Sequence, residues 1–206
     1  MRKATRIVAV SLGLLAGVAG LEHGYFEILQ GNVRPEGLMF PSWGAEVCDP
    51  AKIWHACEPA MTILPNLLVA GILTIFLSLV IIVWSADFVQ RKNGGLILLL
   101  LSIALLLAGG GFFPPLIGIV GGAAGMKIHK PLTSQPGSVT RFAAGFWPWP
   151  LVLLVGWLLA QFPVGYFFND GLKSEMGIVL LFIITFLPLS VYVAYAYDAH
   201  TATQGE

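Results

Sequence analysis

The sequence contains few charged residues. Only 11% of its 206 residues are Asp, Glu, Lys or Arg, whereas soluble domains carry roughly 25%. The chain therefore lacks the polar groups needed to cover a water-facing surface. Because 57% of the residues are hydrophobic and the mean hydropathy is +0.82, a soluble globular protein is excluded and an integral membrane protein is predicted.

Several functional patterns are also missing. The formal net charge is zero and the densest basic cluster is Arg2, Lys3 and Arg6, so we expect no nucleic-acid partner. The sequence has no CxxC, HExxH, GxGxxG or P-loop pattern, and nucleotide-driven or zincin-type enzymes normally carry one of these. We therefore expect a non-enzymatic protein with no catalytic residue, no metal ion and no cofactor.

The chain has only two cysteines, Cys48 and Cys57. Both lie in the segment 31–61, which we place outside the cell membrane. In that oxidising compartment two cysteines in one short loop predict a structural disulfide. The alternative is a metal or redox site in the sequence Trp54-His55-Ala56-Cys57-Glu58, but its spacing does not match the usual zinc patterns.

Long apolar segments dominate the rest of the sequence. We predict one integral membrane domain over residues 1–206, with an all-α fold: a polytopic bundle of about five apolar segments with a broken third segment. The extracytoplasmic loop 31–61 contains four prolines and shows no helical or strand periodicity. The segments are Ile7–Leu29, Thr62–Trp84, Leu96–Met126, Trp147–Phe168 and Met176–Tyr197.

The third segment is too long for one simple crossing. Its 31 residues contain the sequence Gly109-Gly110-Gly111-Phe112-Phe113-Pro114-Pro115, in which glycine and proline disfavour a continuous helix. One interpretation is a full span to Phe113 followed by a short interfacial piece. The other is a hairpin that turns at the glycines and returns to the side it left.

The positive-inside rule distinguishes these two topologies when the basic N-terminus is placed in the cytoplasm. Five simple spans put six Lys/Arg inside (2, 3, 6, 91, 92, 173) and five outside (34, 52, 127, 130, 141). A hairpin moves 127, 130 and 141 inside, giving eight against three. The charge distribution favours the hairpin and a cytoplasmic C-terminus. The start of the chain also resembles a signal peptide, but the apolar helical pattern continues unbroken to Gln30, which favours its retention.

Ionisable residues occur near the end of the first apolar segment: Glu22, His23 and Glu27, followed by Gln30. At 100° per residue, His23 and Glu27 lie within about 40° of each other, and Glu22 lies about 100° from His23. The face that carries His23, Glu27 and Gln30 continues into small residues, and Gly-xxx-Gly spacing allows a second helix to approach closely. We therefore predict helix packing at Gly13, Gly17, Gly20 and Gly24, with the polar group pointing into the bundle.

Two interpretations of this polar group remain open. His23 and Glu27, spaced i to i+4, could form a proton-active or cation-binding pair, since a neighbouring carboxylate orients the ring and favours its protonated form. Alternatively, residues 22 to 30 already lie at the depth of the outer headgroups, where charges are solvated. A metal site that includes Glu22 is disfavoured by its divergent direction.

The second segment carries a row of small and polar residues every four positions: Asn66, Ala70, Thr74 and Ser78. Such residues usually bond to their own helix or to a neighbour. We predict that this row packs against the glycine face of the first segment. Pro65 is expected in the first helical turn, where its missing N–H does no harm.

The sequences from Glu22 to Asn32 and from Gly109 to Pro115 resemble those of a group of small uncharacterised prokaryotic polytopic membrane proteins. The resemblance covers most of the chain and implies no activity. The leading hypothesis is translocation or sensing of a small solute or ion, by the protein alone or as a subunit. Its expected partners are the lipid bilayer and a second copy or a larger membrane system. A structural or assembly role and an intramembrane enzyme are the alternatives.

Overall fold

A computed structural model of the protein describes residues 1–44, 58–132 and 136–204. Within these residues the fold is a helical bundle with one two-stranded sheet, which confirms the all-α prediction. Four of the helices (α1, α2, α6 and α8 below) are long and apolar enough to cross a membrane. The elements are α1 Lys3–Gln30, β1 Met39–Pro41, β2 Pro59–Met61, α2 Leu67–Asp87, α3 Gly94–Ala108, α4 Phe113–Gly125, α5 Ser138–Ala144, α6 Trp149–Phe167, α7 Asn169–Ser174 and α8 Met176–Gln204.

The third apolar segment forms a helical hairpin. Gly95 of α3 lies against Gly125 at the end of α4, and Gly118 of α4 lies against Ser102, so the two helices run antiparallel. The turn between them contains Gly109 and Gly111, which have φ values of 126° and 75°. These left-handed backbone conformations suit glycine and end α3. The hairpin interpretation is therefore confirmed, and the interpretation with one full span is wrong.

Helices α1 and α2 approach each other closely along the predicted glycine face. A Cβ placed on Gly71 of α2 would lie 2.6 Å from the carbonyl oxygen of Gly24, so backbone meets backbone there. Further along, Gly20 lies against the hydroxyl of Ser78, and Gly13 lies against that of Ser85. Of the predicted row, Ser78 packs against a glycine of α1, whereas Gly71 and Ser85, which make the other close contacts, lie outside that row.

The beginning of α1 is held by the end of α8. The Asp198 carboxylate accepts hydrogen bonds from the backbone N–H groups of Ala4 (2.9 Å) and Thr5 (2.8 Å) and from the Thr5 hydroxyl (2.7 Å). It therefore serves as the cap that Arg2, at the N-cap position, does not provide. The N–H of Arg2 bonds to the Ile128 carbonyl just after α4, so these three ends lie together.

Three sequence expectations need correction. The helix expected from Thr62 begins at Leu67, because Asn66 is its N-cap and accepts a hydrogen bond from the Val69 N–H at 3.1 Å; Pro65 consequently lies before the helix. The loop expected to lack strands contains β1 and β2, paired antiparallel. With three residues each, these strands are too short to show an alternating pattern.

The α1–α2 contact makes a prediction about stability. Replacing Gly71 with Ala should lower the free energy of unfolding by about 1–3 kcal/mol, because the new methyl group meets the backbone of α1. Gly156 of α6 is the matched control, since nothing lies within 4 Å of a Cβ placed there, and Gly156→Ala should leave stability unchanged or raise it. Reversible unfolding in mixed micelles measures both. Equal effects of the two substitutions would contradict the close packing.

Candidate functional site

His23 and Glu27 lie on the buried face of α1. Their exposed fractions are 4% and 0%, whereas Glu22 and Gln30 are partly exposed. The helical projection placed His23, Glu27 and Gln30 on the inner face; the structure buries the first two at the same end of the bundle as the α3–α4 turn and leaves Gln30 partly exposed. Their functional role stays a prediction.

Glu27 is enclosed by α2 and by the hairpin turn. Its Oε2 accepts a hydrogen bond from the Thr74 hydroxyl at 3.4 Å. A Cβ on Gly109 would overlap both carboxylate oxygens, so the absence of a side chain at this position is what makes room for the carboxylate. Among the described residues, Oε1 has no hydrogen-bond partner.

His23 faces the loop residues Ser42 and Glu58 and the same turn. Its Nδ1 lies 3.0 Å from the Ser42 hydroxyl, and its Nε2 lies 3.8 Å from Oε2 of Glu58. A Cβ on Gly111 would overlap the imidazole ring. The ring is therefore held between a loop hydroxyl, a carboxylate and a glycine backbone.

The small sheet positions the loop residues of the site. Ser42 follows β1 and Glu58 precedes β2, and the carbonyl of Glu58 accepts hydrogen bonds from the Ser42 N–H (3.0 Å) and hydroxyl (2.8 Å). Gln30 donates to the Ser42 carbonyl at 2.8 Å. At the other end of the strands, the Thr62 hydroxyl donates to the carbonyl of Ala108 at 3.0 Å, which ties the sheet to the end of α3.

A row of buried hydroxyl groups continues from Glu27 along α2. Thr74, Ser78 and Ser85 are each 0% exposed, and at 100° per residue they lie within about 40° on one helix face. Across the part of the chain that the structure describes, the hydroxyl oxygens of Ser78 and Ser85 have no hydrogen-bond partner. We refer to Thr74, Ser78 and Ser85 as the hydroxyl row.

Sequence reasoning missed Ser42 and Glu58 as part of the site. It did single out the run of glycines at 109–111, but it did not connect this run with Glu27 and His23. The signal available was the coincidence of buried polar residues with a run of glycines, since a backbone without side chains can approach a polar group closely.

The described residues contain no group of three or more His, Cys, Asp or Glu side chains that could hold a metal ion. Cys48 and Cys57 lie in the segment 45–57, outside the described residues, as do Trp54 and His55. The disulfide therefore stays a prediction.

Comparisons with known proteins found no matching protein family, no matching curated protein and no matching solved structure. The resemblance to small prokaryotic membrane proteins accordingly stays a prediction. The site is interpreted from its own geometry below.

The contact between Glu27 and Gly109 can be tested with a double-mutant cycle. Gly109→Ala should lower stability because the methyl group overlaps the carboxylate and the left-handed backbone disfavours a side chain. Combining it with Glu27→Ala should recover the part due to the overlap, giving a coupling energy of about 1 kcal/mol or more. Unfolding of the wild type, both single variants and the double variant provides the measurement. Additive effects would show that the two residues are not in contact.

Proposed function

We propose that this polytopic cell-membrane protein moves protons across the bilayer, alone or as a subunit, with His23 and Glu27 as its proton-binding groups. The observation that carries the proposal is the fully buried Glu27 carboxylate, whose Oε1 has no hydrogen-bond partner among the described residues. The proposed role is non-enzymatic.

The energetic cost of burying a carboxylate supports this function. An ionised carboxylate away from water is strongly disfavoured unless a cation or hydrogen-bond donors compensate its charge. Among the residues that the structure describes, Glu27 has one such donor, the Thr74 hydroxyl at 3.4 Å. A proton on the second oxygen satisfies the same requirement without a metal cluster. In this proposal Glu27 gains and loses the proton through His23, which lies on the same buried face of α1. Histidine is suited to this exchange because an unperturbed imidazole titrates near neutral pH.

The hydroxyl row supports movement of protons rather than storage. From Thr74 to Ser85 the helix rises about 16 Å at 1.5 Å per residue, which is about half of the hydrocarbon thickness of a bilayer. Hydroxyl groups both donate and accept hydrogen bonds. Because the steps along the row are about 6 and 10 Å at 1.5 Å per residue, longer than a hydrogen bond, the proposal includes water molecules that carry the proton between the hydroxyls. Ser42 and Glu58 stand on the opposite side of His23, where the protein meets the loop.

The distribution of basic residues supports a cytoplasmic N-terminus. The chain ends that meet at Asp198, the α2–α3 connection and the segment from the end of α4 through α5 occupy one end of the bundle. Eight Lys/Arg belong to this end, at positions 2, 3, 6, 91, 92, 127, 130 and 141. By the positive-inside rule this end faces the cytoplasm, and the His23–Glu27 site faces the outside.

Cysteine labelling tests this orientation. In a chain with Cys48 and Cys57 replaced by Ser, Val139→Cys and Asp170→Cys each introduce one thiol at an exposed position. A membrane-impermeant maleimide applied to intact cells should label position 170, while position 139 should react only after permeabilisation. Labelling of position 139 from outside would overturn the proposed orientation.

Proton movement is tested in proteoliposomes that enclose a pH-sensitive dye. Under an imposed pH gradient, Glu27→Gln and His23→Ala should each reduce the protein-dependent flux about tenfold or more, because proton transfer needs a group that titrates. Asp170→Asn is the control, since it removes a carboxylate from the exposed helix α7. Size-exclusion profiles and circular dichroism verify that each variant is folded. Wild-type flux in both site variants would refute the proposal.

A further inference from the structure

A cavity of about 510 Å³ lies at the end of the bundle where α1 begins. The start of α1, the segment after α4 and the end of α8 form its wall. Its volume falls within the range of small-molecule sites, about 300–1,000 Å³. From Lys3 to His23, α1 rises about 30 Å at 1.5 Å per residue, so this cavity lies far from the His23–Glu27 site.

The buried side chain of Arg2 is the feature of this cavity that favours a ligand. Arg2 is 7% exposed and lies in the cavity wall. Its Nη2 donates to the carbonyl of Pro131 at 3.2 Å, whereas among the described residues its Nε and Nη1 have no hydrogen-bond partner. The Tyr195 ring, whose centroid lies 4.7 Å from the guanidinium carbon, attracts the cation but does not replace an acceptor. Because a buried charged donor without an acceptor is costly, these N–H groups favour a ligand that brings oxygen atoms.

Two lysines add positive charge to the same cavity. Lys3 and Lys130 belong to its wall and have exposed side chains. Within the described part of the chain, neither these lysines nor Arg2 forms an ion pair. Asp198 is the only carboxylate of the described wall, and both of its oxygens already accept the hydrogen bonds that cap α1.

The residues outside the described ranges do not reverse this charge. The segments that adjoin the cavity along the chain are 133–135 and 205–206, and Glu206 is their only charged side chain. The segment 45–57 lies between β1 and β2 in the chain, and these strands are at the opposite end of the bundle. Three basic side chains therefore face at most two acidic ones, and the complementary ligand is an anion.

Aromatic side chains indicate the depth of this cavity in the bilayer. Tyr197 lies in its wall and packs against Trp147, with ring centroids 6.1 Å apart. Tyr192 and Tyr195 are exposed on the same part of α8. Tyr and Trp concentrate at the level of the lipid headgroups, which is also where the phosphate groups of the membrane lie.

From the unsatisfied guanidinium, the positive wall and the depth of the cavity, we propose that the protein binds a phosphate group here. A phosphate carries negative charge and several acceptor oxygens, and the guanidinium of arginine suits it especially well. The phosphate is that of an anionic phospholipid headgroup or free inorganic phosphate, which share this chemistry. The inference goes beyond proton movement, because no residue of the His23–Glu27 site or of the hydroxyl row lies in the cavity wall.

Two binding measurements on the whole chain, purified in a phosphate-free maltoside detergent, distinguish the two sources. Native mass spectrometry follows the addition of dioleoylphosphatidylglycerol, with uncharged dioleoylglycerol as the control lipid. Equilibrium dialysis follows radiolabelled inorganic phosphate. We expect one saturable, Arg2-dependent equivalent in at least one measurement. Binding of phosphatidylglycerol alone, about tenfold or more tighter than the control lipid, identifies a headgroup as the source, and binding of inorganic phosphate identifies the free ion. No saturable binding in either measurement would overturn the proposal.

Matched variants locate the bound phosphate. Arg2→Gln should weaken binding about tenfold or more, because it removes the charged donor, whereas Arg141→Gln on α5, exposed and outside the wall, should not. Ala202, an exposed wall residue of α8, should abolish binding when replaced with Trp, whereas Thr203→Trp, at the next position and outside the wall, should retain it.

Size-exclusion profiles verify that these variants are folded, and Ala202→Trp alone decides the question where Arg2→Gln does not fold. Wild-type affinity in folded Ala202→Trp would show that the cavity is not the binding site and refute the proposal. Glu27→Gln should bind phosphate like the wild type even where it abolishes proton flux, so the two proposals can fail independently.

Discussion

The structure depends on the close approach of α1 to its neighbours. Where Gly24 of α1 faces Gly71 of α2, backbone groups pack directly against each other, and Gly121 of α4 meets α1 on another side, near Leu12. In a bilayer, where apolar surfaces gain little by leaving lipid, such contacts are a principal source of helix association. They also fix the position of α1 along its own axis relative to the hairpin of α3 and α4. The carboxylate of Glu27 therefore meets Gly109 because packing further down the helix sets that register.

Buried polar side chains and irregular backbone lie together at the end of the bundle that carries β1 and β2, and each compensates for the cost of the other. The turn between α3 and α4 leaves backbone groups outside regular helical bonding, and such a backbone is tolerated within a membrane protein only where protein or water surrounds it. His23 and Glu27 lie against this turn, and the short sheet ties the loop to the end of α3 through Thr62. Each of these features would be unfavourable alone at this depth. Together they form a compact polar layer beneath the loop.

Much of this arrangement can be predicted from the sequence, because it depends on residues that lie near one another in the chain. Segment lengths predicted the long helices, the glycines and prolines with the basic residues predicted the hairpin, and helical geometry placed His23 and Glu27 on the inner face. Ser42 and Glu58 could not be found in this way. They approach His23 because β1 and β2 pair with each other and bring the residues next to these strands together. Strands of three residues are too short to show an alternating hydrophobic pattern in the sequence. The start of α2 was misplaced because apolar composition alone does not distinguish Asn66 as a cap.

The cap provided by Asp198 has a consequence for the order of assembly. The first turn of α1 presents the N–H groups of Ala4 and Thr5, whose acceptor, the Asp198 carboxylate, lies 194 and 193 residues further along the chain. As the ribosome adds residues in order, α1 is made long before the acceptor of these N–H groups. Until α8 has been inserted beside α1, the N–H groups of its first turn have only water or lipid headgroups as hydrogen-bond acceptors. The hydrogen bonds that cap α1 therefore form only after α8 has been made and placed beside it.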